Sequence, residues 1–145
     1  MSFARAAGGS VAAALLAFAG CGGGGEDSVD AHLRLVVPDN NIRVEGVECA
    51  GARPFEYVHP GARFALEAPD GSVLVDGELP AGRAENADPS IDWEVERIPT
   101  VCVLELDLEG VPERPRYRLR LAEGRPLEFD LANLSGDEPL QLVVQ

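Results

Sequence analysis

The chain has 145 residues, 25 acidic side chains against 12 basic ones, and a formal net charge of −13. That balance repels phosphate backbones and anionic headgroups, so it argues against nucleic acid as a partner and against a basic patch as a membrane anchor. Every basic residue is an arginine, and the length leaves room for one ordinary domain.

At the amino terminus a single charge, Arg5, precedes the apolar run "VAAALLAFA" at residues 11–19. The run is about half of the roughly 20 residues that cross a bilayer. A short apolar core behind a basic residue and ahead of small residues reads as a secretory signal. "LAFAGC" then resembles the lipobox of bacterial lipoproteins, with the small residues Ala19 and Gly20 directly before Cys21. Phe18 stands where that family usually has Leu. The resemblance implies that Cys21 becomes the lipid-carrying first residue of the mature chain, held in the membrane by more than one acyl chain. Gly22, in place of Asp, implies the outer membrane if the host is a didermal bacterium. "GGGGEDS" at residues 22–28 is too poor in apolar surface to fold and reads as a flexible tether. Loss of Arg5 with the signal takes the formal charge from −13 to −14.

With Cys21 lipidated, Cys49 and Cys102 remain as an even pair in an oxidising compartment, where they are expected to form a disulfide. Closing that loop of about 50 residues is worth roughly 4 kcal/mol in the chain-entropy account.

From Asp30 onward, alternation with a period of two dominates. "HLRLVV" alternates and is expected to stop at "PDNN". "ARFALEA" sets Phe64 and Leu66 on one face, and "PDGS" turns the chain into "VLVD". "IDWEVER" reads as a strand with Ile91, Trp93 and Val95 inside. "CVLELDL" turns Cys102, Leu104, Leu106 and Leu108 inward. "RYRLRL" does so with Tyr117, Leu119 and Leu121, and "LEFDL" with Leu127, Phe129 and Leu131. "LANLSG" can form one short turn, and "PLQLVVQ" supplies a last strand. "CVLELDLEG" and "PRYRLRL" flank "VPER" and suggest a hairpin. It would set Leu108 opposite Tyr117 inside, and Glu109, Asp107 and Glu105 opposite Arg116, Arg118 and Arg120 outside.

The pattern of a Cys, a strand, the turn at Asp70 and Gly71, the segment with Gly77, Leu79 and Gly82, a second Cys and the end at Tyr117 and Leu119 resembles a group of small exported bacterial proteins. The resemblance implies a disulfide-bearing β-sandwich and no activity. The acidic "DPSIDWEVER" stretch is an insertion relative to that group.

Chemistry has few candidates. His32 lies on a strand opposite its apolar set, and His59 lies in the turn "YVHPGA". Neither has a Ser or Cys at a nucleophile spacing. Paired-Cys zinc spacing and His-x-x-x-His are both missing. "PDNN" and "ENADPSID" carry oxygen ligands of the kind calcium takes, without the 12-residue loop, and Asp and Asn are also ordinary turn formers. Phe55, Tyr57 and His59 form an aromatic loop that could anchor a partner.

The sequence therefore reads as a lipoprotein signal peptide (residues 1–20), a lipidated Cys with a Gly-rich tether (21–29) and one domain (30–145). The domain is expected to be an all-β antiparallel sandwich, Ig-like or transthyretin-like, of about seven to eight strands with one disulfide. The function expected is a non-enzymatic, monomeric binding or envelope-associated module outside the cytoplasm, attached to the membrane through Cys21. It has no catalytic, cofactor or metal site and takes a protein partner in the cell envelope. The alternative is a small-ligand or metal-dependent binder or enzyme with a site near His32 or His59.

Overall fold

A computed structural model describes residues 25–145; the signal segment and Cys21 lie outside the described residues. Nine strands follow in order: β1 (Ser28–Val44), β2 (Glu48–Cys49), β3 (Arg63–Glu67), β4 (Val73–Glu78), β5 (Gly82–Asn86), β6 (Arg97–Pro112), β7 (Arg116–Leu121), β8 (Leu127–Asp130) and β9 (Leu140–Val143). A 3-10 turn spans Leu131–Leu134. One sheet has the order β2-β5-β6-β1-β9 and the other β4-β3-β7-β8. All pairings are antiparallel except β1 with β9. The result is a sandwich-like all-β fold.

Alternation puts the expected residues inside. Ala31, Leu33, Leu35 and Val37 of β1, and Cys102, Leu104, Leu106 and Leu108 of β6, face Phe64 and Leu66 of β3 and Tyr117, Leu119 and Leu121 of β7 in one core cluster. Tyr117 stacks on Phe129 directly across the β7–β8 ladder, with ring centroids 5.3 Å apart, a pairing that adds to plain area burial.

The expected β6–β7 hairpin does not form. β6 belongs to the first sheet and β7 to the second, so their apolar faces meet across the core. Each strand finds its opposite charges elsewhere. On β6, Asp107 and Glu105 lie opposite His32 and Arg34 of β1. On β7, Arg116 pairs with Asp130 at 3.1 Å, Arg118 with Glu128 at 3.2 Å and Arg120 with Glu67 at 3.4 Å. Charge complementarity fixed the faces and left two partner choices equally good. The crossing between sheets is held by Tyr117, whose Oη accepts from the Arg114 amide at 3.0 Å and donates to the Pro112 carbonyl at 3.3 Å. A tyrosine hydroxyl bonded to the backbone a few residues upstream is the arrangement known as a tyrosine corner.

Three further expectations are corrected. β1 begins at Ser28 rather than His32 and runs through "PDNN" instead of stopping there. Its register against β6 jumps from Val37–Cys102 to Asn41–Thr100, so the breaker residues are absorbed as a bulge. Residues 91–96 form a loop, not a strand; Ile91 and Val95 are exposed. Local turns capture its amides: Ile91 N–H bonds the Asp88 carbonyl, and Glu94 N–H bonds the Asp92 carboxylate. Short Asp side chains compete in this way with a strand ladder. Finally, β2 and β5, absent from the sequence reading, raise the count to nine strands.

Cys49 and Cys102 are disulfide-bonded, with Cα atoms 5.9 Å apart. β5 lies between their strands in the sheet, and two interstrand spacings would be about 9.5 Å. β2 therefore curls over β5 at Gly82.

Candidate functional site

The histidines of the sequence reading stand apart on the surface. His32 and Asp107, neighbours across the β1–β6 ladder, hydrogen-bond at 2.8 Å. This bond, with the charges of Asp107 and Asp30 beside it, raises the His32 pKa above its usual 6.5. His59 is exposed in a turn, with Nδ1 donating to the Pro60 carbonyl at 2.9 Å. Among the described residues no group of three or more His, Cys, Asp or Glu side chains could hold a metal ion.

The loop containing Phe55, Tyr57 and His59 is folded onto the domain. Phe55 and Tyr57 are half-buried against the core and Val58 is fully buried. The loop is closed by bonds from Phe55 N–H to Ala52, Val58 N–H to Phe55 and Gly51 N–H to Val58. Tyr57 Oη donates to the Gln145 carbonyl at 3.3 Å. Of the three, His59 alone is exposed.

"PDNN" serves a buried ion pair. Asp39, its side chain fully buried, takes two bonds from the Arg43 guanidinium at 3.1 and 2.6 Å and one from the Ala52 amide at 2.9 Å. Arg43 also donates to Thr100 Oγ1 and the Ala50 carbonyl, both at 3.1 Å. Burial pushes the Asp39 carboxyl up, but the bonds from Arg43 and Ala52 outweigh it and hold the group below the ordinary value. The bulge that breaks the strand thus turns Asp39 inward to tie β1 to the chain leaving the disulfide.

The remaining feature lies at the far end of the long β1–β6 ribbon. The core cluster takes β1 only as far as Val37 and β6 only from Cys102 onward. Residues 41–44 and 97–100 lie beyond that cluster, with Ile98 and Thr100 still buried, and the β5–β6 loop adjoins their end. Here Trp93, the single tryptophan of the chain, is half-buried and donates Nε1–H to Asn86 Oδ1 at 3.1 Å. Trp93, Asn86 and Ile98, with Ile91 and Val95, line a shallow, open groove of about 410 Å³. Ile91 is 42% exposed and Val95 63%. Glu94 between them has φ +52°, a left-handed backbone that a non-glycine residue rarely adopts without a surrounding structure to hold it.

Glu45, Asp92, Glu94 and Glu96 line the same groove. None of the four forms an ion pair among the described residues, whereas the carboxylates of the β7–β8 face are matched by arginines. The sequence reading placed Trp93 in the core because "IDWEVER" alternates. The signal against that was its composition: three acids on one face and "DPS" before it.

The ribbon also sets the direction of display. Ser28 lies opposite Pro112 at one end of β1, and Val44 opposite Arg97 at the other. Seventeen residues at about 3.3 Å each put an upper bound of roughly 50 Å on the separation of the ends, which the bulge between Val37 and Asn41 shortens. At the first end the incoming chain is pinned, with Glu26 paired to Arg114 at 2.6 Å and the Asp27 carbonyl accepting from Glu113 N–H at 2.8 Å. Comparison of the chain with models of protein families, with curated proteins and with solved structures returns no match.

Proposed function

We propose that this chain is a non-enzymatic binding module of the cell envelope, anchored outside the cytoplasm by lipid on Cys21. The domain belongs, in this reading, to the Ig-like rather than the transthyretin-like sandwiches, which the Tyr117 corner at the sheet crossing supports. The observation that carries the function is the position of the Trp93 groove. It sits at the end of β1 opposite the point where the tether enters. A flexible tether joined at the Ser28 end leaves the opposite end, with the groove, free to meet a partner. Half-buried tryptophan flanked by exposed aliphatic side chains is the composition of an interface anchor. The buried disulfide suits an oxidising compartment.

Two experiments in intact cells test this reading. Alkyne-palmitate labelling of the chain is expected, and its loss in Cys21→Ser. A photo-crosslinking amino acid at Val95 is expected to give a discrete protein adduct that the same group at Val73, on the outer strand β4, does not give. Identical adducts from both positions, or none from Val95, would overturn the binding role; labelling that persists in Cys21→Ser would overturn the anchor.

A further inference from the structure

We infer that the Trp93 groove takes a cationic, extended segment of a partner protein, with an arginine or lysine over the Trp93 ring and aliphatic side chains against Ile91 and Val95. The inference deepens the binding reading above and rests on it. Three observations choose the occupant.

The first is the platform itself. Trp93 is half-buried with its Nε1–H bonded to Asn86, so what it offers an incoming group is the part of its ring that lines the groove. A guanidinium or ammonium is attracted to the face of an indole more than to that of any other aromatic side chain. Ile91 and Val95 flank it two residues away on each side, exposed, and supply the apolar contact that a purely electrostatic site would lack.

The second is charge. Four carboxylates line the groove, unmatched by any arginine in an ion pair among the described residues. Arg97, next to Glu96 in the chain, bonds the Ile42 carbonyl at 3.0 Å, Arg83 bonds the Gly46 carbonyl at 3.1 Å, and Arg43 is paired with Asp39. A partner bringing cations would complete these pairs, and complementary potentials also speed encounter.

The third excludes the other occupants. A second copy would bring four more carboxylates against the first four, on a chain that already carries −13. An anionic lipid surface is repelled by the same groups.

The sole tryptophan makes the test direct. The full chain, in neutral detergent, is titrated with three hexapeptides of alternating leucine and arginine, leucine and glutamine, or leucine and glutamate, while Trp93 emission and its quenching by acrylamide are followed. The basic peptide is expected to shift the emission saturably and to protect Trp93. It should bind roughly tenfold or more tightly than the glutamine peptide, with the difference shrinking as salt rises to about 0.5 M. The double variant Glu94→Gln/Glu96→Gln is expected to lose that preference while keeping its thermal transition. Equal responses to all three peptides, or no saturable response, would overturn the cationic occupant. An emission shift on phosphatidylcholine vesicles without a peptide response would do the same, by assigning Trp93 to lipid. The salt and peptide series need no variant, so the outcome stands even if the double variant misfolds. A Val95 adduct in cells with no peptide-charge preference would leave the binding module in place and remove only this inference.

Discussion

Gly82 lies directly beneath the disulfide: a Cβ on it would stand 2.5 Å from Cys102 Sγ and 3.1 Å from both Cys49 Sγ and the Val103 carbonyl. Hydrogen is the only side chain that lets β2 curl over β5 and bring Cys49 within reach of Cys102. Gly82→Ala is therefore expected to destabilise the domain by about 1–3 kcal/mol through overpacking. Gly25→Ala, with nothing within 4 Å of the added atom, is expected to be near neutral. Denaturant unfolding of the two variants under oxidising conditions checks the pair, and equal midpoints would remove the steric role assigned to Gly82.

Asp39 and Arg43 form the one network whose loss should be felt most. Removing Arg43 as Arg43→Met leaves a buried carboxylate without its cation, a change that costs about 3–5 kcal/mol when the survivor is fully buried. The pH dependence follows from the direction of the shift. Asp39 is held below its ordinary value when folded, so the unfolded chain binds the proton more readily. The network's contribution is present above the unfolded value of about 4 and is lost as pH falls through the lower folded value. Acid unfolding curves of the unmodified chain should steepen in that range, and those of Asp39→Asn should not.

His32 should titrate above an ordinary histidine, because the imidazolium form keeps the bond to Asp107 and the field of Asp30. The stability it contributes is present below about 6.5 and disappears as pH rises through the raised folded value. Both side chains are largely exposed, so solvent screening keeps the effect on stability small. A titration followed by NMR in Asp107→Asn is expected to bring the His32 midpoint down towards the ordinary value. An unchanged midpoint would show that Asp107 is not its cause.

Tyr117→Phe keeps the ring on Phe129 and deletes only the hydroxyl that ties the sheet crossing to the Arg114 amide and the Pro112 carbonyl. The expected cost is about 1–2 kcal/mol, a lost hydrogen bond together with a backbone amide left to find another partner. Unfolding midpoints measure it, and Phe129→Leu serves as the comparison that alters the stacking without touching the crossing.

The local pattern of the chain was enough to establish which residues face inward. Leu104, Leu106, Leu119 and Leu121 are buried as their period of two requires, because alternation is a property of one strand and needs no partner. Cysteine pairing was legible as an expectation: setting Cys21 aside on the lipobox resemblance left an even pair, with two free thiols as the alternative, and the structure shows Cys49 bonded to Cys102. Partnership between strands was not legible. β6 and β7 carry complementary stripes, but so do β1 with β6 and β7 with β8, and a stripe of charge says only that some opposite stripe lies beside it. Tertiary structure decided among them by burying both apolar faces at once, which sends β7 to the other sheet and leaves Tyr117 to hold the crossing. The same limit hid the Trp93 groove: Ile91, Trp93 and Val95 alternate as a core strand would, but the turns at Asp88 and Asp92 keep the segment out of both sheets and leave Ile91 and Val95 exposed. Sequence determined the faces because they are local; the fold determined the neighbours and the uncovered surface because those depend on where distant segments run.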